Sequence, residues 1–170
     1  MSPVEPHTFR DALSQLAGGV VIVTTVDENG SPRGMTATAV CSVSLSPPMV
    51  MACMGHAAAT HAAVERSGVF ALNVLPHTAA GLAARFAAVG DDKFHGIDTL
   101  TGETGAPLLV GSLVHCDCVV ERSVPAGDHT IFIGRVVTVG TDPAGHSPLL
   151  YFRGAYGSVT PLRPDPGPDT

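Results

Sequence analysis

Apolar positions in this chain fall in short runs, and most of those runs are too brief and too β-branched for helix. Residues 19–26 read Gly-Val-Val-Ile-Val-Thr-Thr-Val, which predicts a strand. Asp27-Glu28-Asn29-Gly30 follows as a hairpin turn, with Asn29-Gly30 supplying positive φ. Residues 33–45 alternate small, hydroxyl and apolar side chains and predict one long second strand, ended by Ser46-Pro47-Pro48. Residues 49–54 predict a third. Further strands are expected over 69–75, 113–124, 130–139, 149–152 and 156–159, with residues 125–129 joining the two longest.

Three segments suit helix instead. Thr8, with Asp11 three residues on, predicts a helix start, and the helix would run to about Ala17, where Gly18-Gly19 stops it. Residues 56–66 and 77–88 are rich in alanine, and Gly68 would close the first of these helices. Residues 90–107 carry the Gly, Asp, Thr and Pro of a loop. From Pro161 onward Pro, Gly and Asp predict a disordered tail, leaving residues 1–160 as one folded domain. Strands outnumber helices, and neighbours are mostly joined by short turns. The fold class is therefore mainly β, an antiparallel barrel with capping helices rather than a doubly wound βαβ sheet.

Composition narrows the function classes. The chain has 170 residues, 45% of them hydrophobic and 14% charged, enough for one apolar core and suggestive of a subunit contact between copies. Lys and Arg total 9 against 15 Asp and Glu, a formal charge of −6 with no basic stripe, so nucleic acid and anionic membrane surfaces are poor partners. Apolar runs such as 19–23 and 49–54 are far too short to span a bilayer. The first ten residues carry Pro3, Glu5 and Pro6 rather than an apolar leader, so a soluble cytoplasmic protein is expected. Cys41, Cys53, Cys116 and Cys118 form no C-x-x-C pair. Cys116 and Cys118 share one side of a strand and read as reduced, half-buried apolar residues, and no metal site is expected. No G-x-G-x-x-G, P-loop, H-E-x-x-H or G-x-S-x-G occurs, so a Rossmann nucleotide site is not supported.

Three segments carry candidate chemistry. In residues 34–48, Thr36, Thr38, Ser42 and Ser44 alternate with small apolar residues, which would let a flat ligand lie against the backbone. In residues 127–136, Gly127-Asp128-His129 opens a β-branched strand. Asp128 can orient His129 toward an anionic or aromatic ligand, or the pair can simply cap a hairpin. In residues 148–157, Tyr151 and Tyr156 flank Arg153, a combination used for stacking and for phosphate pairing and also found on ordinary edge strands.

Taken in order and spacing, these segments resemble the flavin reductase-like family, and more narrowly the short-chain reductase components of two-component flavin-dependent monooxygenases. The matching stretches are Gly-Val-Val-Ile-Val-Thr-Thr at 19–25, Thr-Ala-Thr-Ala-Val-Cys-Ser-Val-Ser-Leu-Ser-Pro-Pro at 36–48, Phe-Ala-Leu-Asn-Val-Leu at 70–75, Asp-Lys-Phe at 92–94, Gly-Asp-His-Thr-Ile-Phe-Ile-Gly-Arg-Val at 127–136 and Pro-Leu-Leu-Tyr-Phe-Arg-Gly at 148–154. The resemblance implies a split β-barrel homodimer. It would bind FMN or FAD, reduce it with NADH or NADPH, and pass reduced flavin to a monooxygenase. It places Thr36, Ala37, Thr38, Ala39, Ser42 and Val43 along the isoalloxazine ring and ribityl chain. Residues 53–60, including Cys53, Met54, Ala59 and Thr60, would hold the flavin phosphate, with Lys93 and Phe94 closing the site. His129 would meet the nicotinamide, helped by Arg153 and Tyr156. The phosphate segment departs from the family pattern, reading His56-Ala57-Ala58-Ala59-Thr60 where serines are usual, so backbone N–H groups and Thr60 would carry more of the contact. Ala155 stands where a basic residue is common. Two other readings use the same barrel: a flavin oxidase of the pyridoxamine-phosphate-oxidase type, which the Gly-Asp-His segment disfavours, and a flavin-binding module without catalysis.

Overall fold

In a computed structural model, residues 3–90 and 92–160 are described, and the expected tail from 161 lies outside them. The main sheet has seven antiparallel strands. In chain order they are β2 (Val21–Val26), β3 (Pro32–Ala37), β4 (Val40–Leu45), β5 (Pro48–Gly55), β6 (Val69–Val74), β9 (Val114–Ala126) and β10 (His129–Thr141). Across the sheet the order is β3-β2-β6-β9-β10-β5-β4. β1 (Gly18–Gly19), β11 (Leu149–Phe152) and β12 (Ala155–Ser158) form a small second sheet, and β7 (Thr99–Thr101) pairs with β8 (Pro107–Leu109). The helices are α1 (Pro6–Leu13), α2 (Ala59–Ser67) and α3 (Ala80–Ala87).

The expected single strand over 33–45 is two strands on opposite margins of the sheet. β3 pairs with β2 and β4 with β5, and only Thr38 and Ala39 lie between them. Three Cα steps reach at most roughly 11 Å. A seven-stranded sheet can bring its margins that close only by curling round on itself. The Cys53 N–H donates to the Ala39 carbonyl at 2.9 Å and pins the crossing. The result is a barrel with a seam along β3, the split-barrel architecture expected.

The Val-Val-Ile-Val run is apolar throughout because β2 is covered on both faces. Val21 and Val23 point into the barrel with Ala52, Met54, Phe70, Leu72, Cys118 and Phe132. Val20 and Ile22 point outward under α3, against Ala83, Phe86, Leu109 and Leu149. Cys116 packs against the inner cluster beside Cys118, whose thiol burial pushes well above the ordinary cysteine range, so both serve as apolar filling. α2 sets Val64 into the inner cluster and closes at Gly68, in the left-handed conformation at φ 69°.

Other boundaries shift for identifiable reasons. α1 begins at Pro6 rather than Thr8, because proline's fixed φ and missing N–H suit a first turn. The long hairpin turns on Gly127-Asp128 alone, with His129 opposite Ala126, so the strands run further than residues 125–129 suggested. The expected loop over 90–107 holds the β7–β8 ribbon. Its anchors are distant in sequence: Thr104 donates its N–H (2.9 Å) and its hydroxyl to the buried Asp117 carboxylate. On the other side, fully buried Asn73 donates from Nδ2 to the Ile22 carbonyl and to Thr24 Oγ1, both at 3.0 Å. It accepts the Leu109 N–H on Oδ1 at 2.7 Å. Asn73 thus joins β2, β6 and β8 inside the molecule. Asn73→Ala strands these groups without solvent, and we expect a loss of about 2–3 kcal/mol in urea unfolding with the denaturant slope unchanged.

Candidate active site

Three concavities lie end to end along the seam. The first, about 330 Å³, runs from Gly34, Met35 and Thr36 across to residues 57–60 and is walled by Phe86, Lys93 and Phe94. The second, about 220 Å³, shares Thr36 and Ala87 with it and adds Val20, Ala37, Thr38, Tyr151 and Tyr156. The third, about 930 Å³, shares Thr38 and Tyr151 with the second and opens onto Phe9, Arg10, Asp128, His129 and Arg153. The shared residues make one groove, with Lys93 at one end and His129 at the other.

The wall is built by close approach. A Cβ on Gly34 would stand 2.7 Å from the Phe86 ring and 3.2 Å from Phe94, so only glycine lets α3 lie this near β3. Phe86 and Phe94 meet edge to face at 5.0 Å. Thr36 donates its hydroxyl to the Ala83 carbonyl at 2.7 Å, fixing α3 to the strand. Lys93 Nζ donates to the carbonyls of Phe86 at 2.9 Å and Gly34 at 3.4 Å, so its ammonium braces the wall beside the groove.

The start of α2 forms the opposite lip. Its N-cap is Ala58, with no side-chain cap, although Ser, Thr, Asp or Asn is the usual choice. Among the described residues the N–H groups of Ala59 and Thr60 have no main-chain acceptor, and Thr60 lines the concavity beside them. Orphan N–H groups and the positive end of a helix dipole suit an anion. The residues present therefore fit a flavin nucleotide whose phosphate would lie here.

At the other end His129 sits on the tight turn opposite Gly55. Its Nδ1 is 2.7 Å from Asp128 Oδ1. A carboxylate only accepts, so Nδ1 carries the proton. The same bond holds the Asp128 carboxyl below the ordinary carboxylate range, keeping it ionised. The His56 N–H donates to the Asp128 carbonyl at 3.0 Å, and Thr130 Oγ1 lies 3.1 Å from His56 Nε2 and 2.8 Å from His61 Nε2. The turn bearing His129 is thus tied to the segment leading into α2.

Of the residues singled out from sequence, the groove gathers Thr36, Ala37, Thr38, Ala59, Thr60, Lys93, Phe94, His129, Arg153 and Tyr156. It does not take in Ala39, Ser42, Val43, Cys53 or Met54. Ser42 and Val43 sit on β4, past the crossing and on the other margin, where the register shift between Ser42 and Ser44 leaves Val43 unpaired. Met54 is fully buried in the inner cluster. Arg153 is a strut: its N–H bonds the Ser14 carbonyl at 3.0 Å and its Nε donates to Gln15 Oε1 at 2.7 Å, holding the end of α1. Tyr151 lines two of the concavities, although the sequence marked it only as a neighbour of Arg153. The two-residue turn Arg153-Gly154 places it opposite Tyr156, with ring centroids 5.4 Å apart, and that turn is visible in the sequence. Among the described residues no group of His, Cys, Asp or Glu is arranged to hold a metal ion.

Known proteins resemble this chain over nearly its whole length. The reductase subunit HsaB of a flavin-dependent monooxygenase from Rhodococcus jostii is 39% identical, across 97% of this chain and 84% of that protein. The flavin reductase (NADH) of Kitasatospora aureofaciens is 39% identical across 96% of this chain and 86% of its own length. The NADH:FAD oxidoreductase SgcE6 of Streptomyces globisporus, solved with NAD and FAD fragments, superposes with a TM-score of 0.83 at 35% identity, covering 99% of this chain and 100% of that one. Residues 13–160 match the family described as Flavin reductase like domain, and this chain belongs to it.

Proposed function

We infer that this chain is an NAD(P)H:flavin oxidoreductase that reduces FMN or FAD and supplies the reduced flavin to a partner monooxygenase. The carrying observation is the continuous groove, with an anion-binding helix start at one end and an oriented histidine at the other. The flavin and the dihydronicotinamide bring the chemistry themselves, a hydride passing from nicotinamide C4 to flavin N5. What the chain must do is hold two flat rings in register, and well-oriented reactants can save several kcal/mol of barrier, with about 7–11 as the upper range.

Its residues divide that work. The α2 N–H groups and Thr60 anchor the phosphate. Thr36, Ala37 and Thr38 offer small side chains along β3, so main-chain polar groups reach the ring edge. Tyr151 and Tyr156 bound the ring from the small sheet. Asp128 holds His129 through Nδ1, which leaves Nε2 as the ring nitrogen available to the nicotinamide carboxamide. No side chain is required as an acid or base.

The reductase works as a cytoplasmic homodimer. Free cysteines at all four positions suit a reducing compartment. Val43 and Leu45 expose 47% and 93% of their surface on β4, the margin strand of the main sheet, apolar positions suited to contact with a second copy. No helix among the described residues is long and apolar enough to cross a membrane.

Oxidation of NADH or NADPH should stay at background without flavin and saturate as FMN or FAD is added. Flavin that survives gel filtration and ignores both nicotinamides would favour the storage module instead. His129→Ala is expected to raise KM for the nicotinamide about tenfold while flavin Kd, read by fluorescence titration, stays within about twofold. Thr60→Val should weaken FMN binding about tenfold and leave riboflavin, which lacks the phosphate, unaffected.

A further inference from the structure

The groove does not end at the phosphate. Arg33 and Ala59 line the first concavity and also a fourth, of about 350 Å³, on the side away from His129. Its other walls include Asp27 and Glu28 from the β2–β3 turn and Ala62 and Arg66 from α2. Four hollows therefore follow one another, and the last begins where the flavin phosphate would lie.

Arg33 stands at this junction in a fixed pose. Its Nε and Nη2 both lie 3.0 Å from Asp27 Oδ2, and Asp27 Oδ1 accepts the N–H groups of Asn29 and Ser31 at 2.9 Å. These bonds hold the Asp27 carboxyl below its ordinary range and make the turn rigid. The guanidinium is thereby planted between two hollows, where the bridge of a dinucleotide would pass. Beyond it, Ala62 leaves a shallow apolar floor on α2, Arg66 offers a planar cation for an aromatic base, and Glu28 offers carboxylate oxygens to a ribose diol.

Resting on the flavin-reductase reading above, we propose that this fourth hollow receives the adenylate half of FAD, with Arg33 at the pyrophosphate, so that the chain selects the dinucleotide over FMN. FMN ends at its phosphate and would leave the hollow beyond it unfilled, whereas the adenylate half of FAD would extend into it. The nicotinamide nucleotide is served from the opposite end, at His129, so the two adenylates do not compete.

The test is steady-state NADH oxidation by the full chain with FAD, FMN and riboflavin, run on the wild type, Ala62→Trp and Arg66→Glu. The wild type is expected to show kcat/KM for FAD at least tenfold above that for FMN. The indole of the first variant would fill the hollow, and the second would remove the planar cation offered to the base, so each variant should lower the FAD-to-FMN ratio at least tenfold. Far-ultraviolet circular dichroism confirms that each variant is folded, and if one is not, the other carries the test. A wild type that prefers FMN, or a ratio that both variants leave in place, overturns the proposal while leaving the reductase reading intact. An equal fall with all three flavins also overturns it, since the damage then lies in the shared ring site. No turnover with any flavin sinks both readings together.

Discussion

The molecule is organised by one geometric demand: two residues must carry the chain from one margin of a seven-stranded sheet to the other. Thr38 and Ala39 can bridge β3 and β4 only if the sheet curls until its margins meet. The concavities that make up the groove lie along that meeting line. β3 is left with one edge unpaired by strand neighbours, and the groove runs along it. α3 covers one side, the start of α2 the other, and the β11–β12 ribbon the end. A closed barrel would have put those main-chain groups into a ladder. The seam keeps them available to a ligand while the remaining strands provide rigidity.

That rigidity is local and polar as well as apolar. The inner cluster fills the barrel, and a second cluster beneath α3 fixes the outer face of β2. Asn73, Thr24 and Asp117 then tie in the β7–β8 ribbon through buried hydrogen bonds, which have directional preferences that packing alone lacks. For hydride transfer between two flat rings, such stiffness is the protein's main contribution. Asp128, His129, Thr130, His56 and His61 extend it across the groove, linking the turn that bears His129 to the segment leading into α2.

Much of this was legible in the sequence, and the exceptions share a cause. The β-branched runs marked β2, β6, β9 and β10 because buried strands impose their own composition. The break at Thr38-Ala39 was invisible, since Thr-Ala-Thr-Ala-Val keeps a period of two straight through it. That is why Ser42 and Val43 were expected beside Thr36 and lie on another margin. The β7–β8 ribbon was hidden because its partners, Asn73 and Asp117, lie outside the segment and no local pattern announces them. The groove residues recovered from sequence came mostly from short motifs that resemble a known family. Arg33 belongs to no such motif, and only topology brings it to the groove. Tyr151 lies within one, but its place in the wall depends on a small sheet whose strands pair across the turn at Arg153-Gly154.

The alanines before Thr60 have a consequence for traffic through the site. On the proposed placement, a phosphate gripped by main-chain donors and a single hydroxyl would sit in a shallow hold, because alanine can neither wrap an anion nor exclude water from it. A carrier protein would need a deeper hold. A shallow one would let reduced flavin depart within each catalytic cycle, so that the same barrel could load oxidised flavin again and act as a relay.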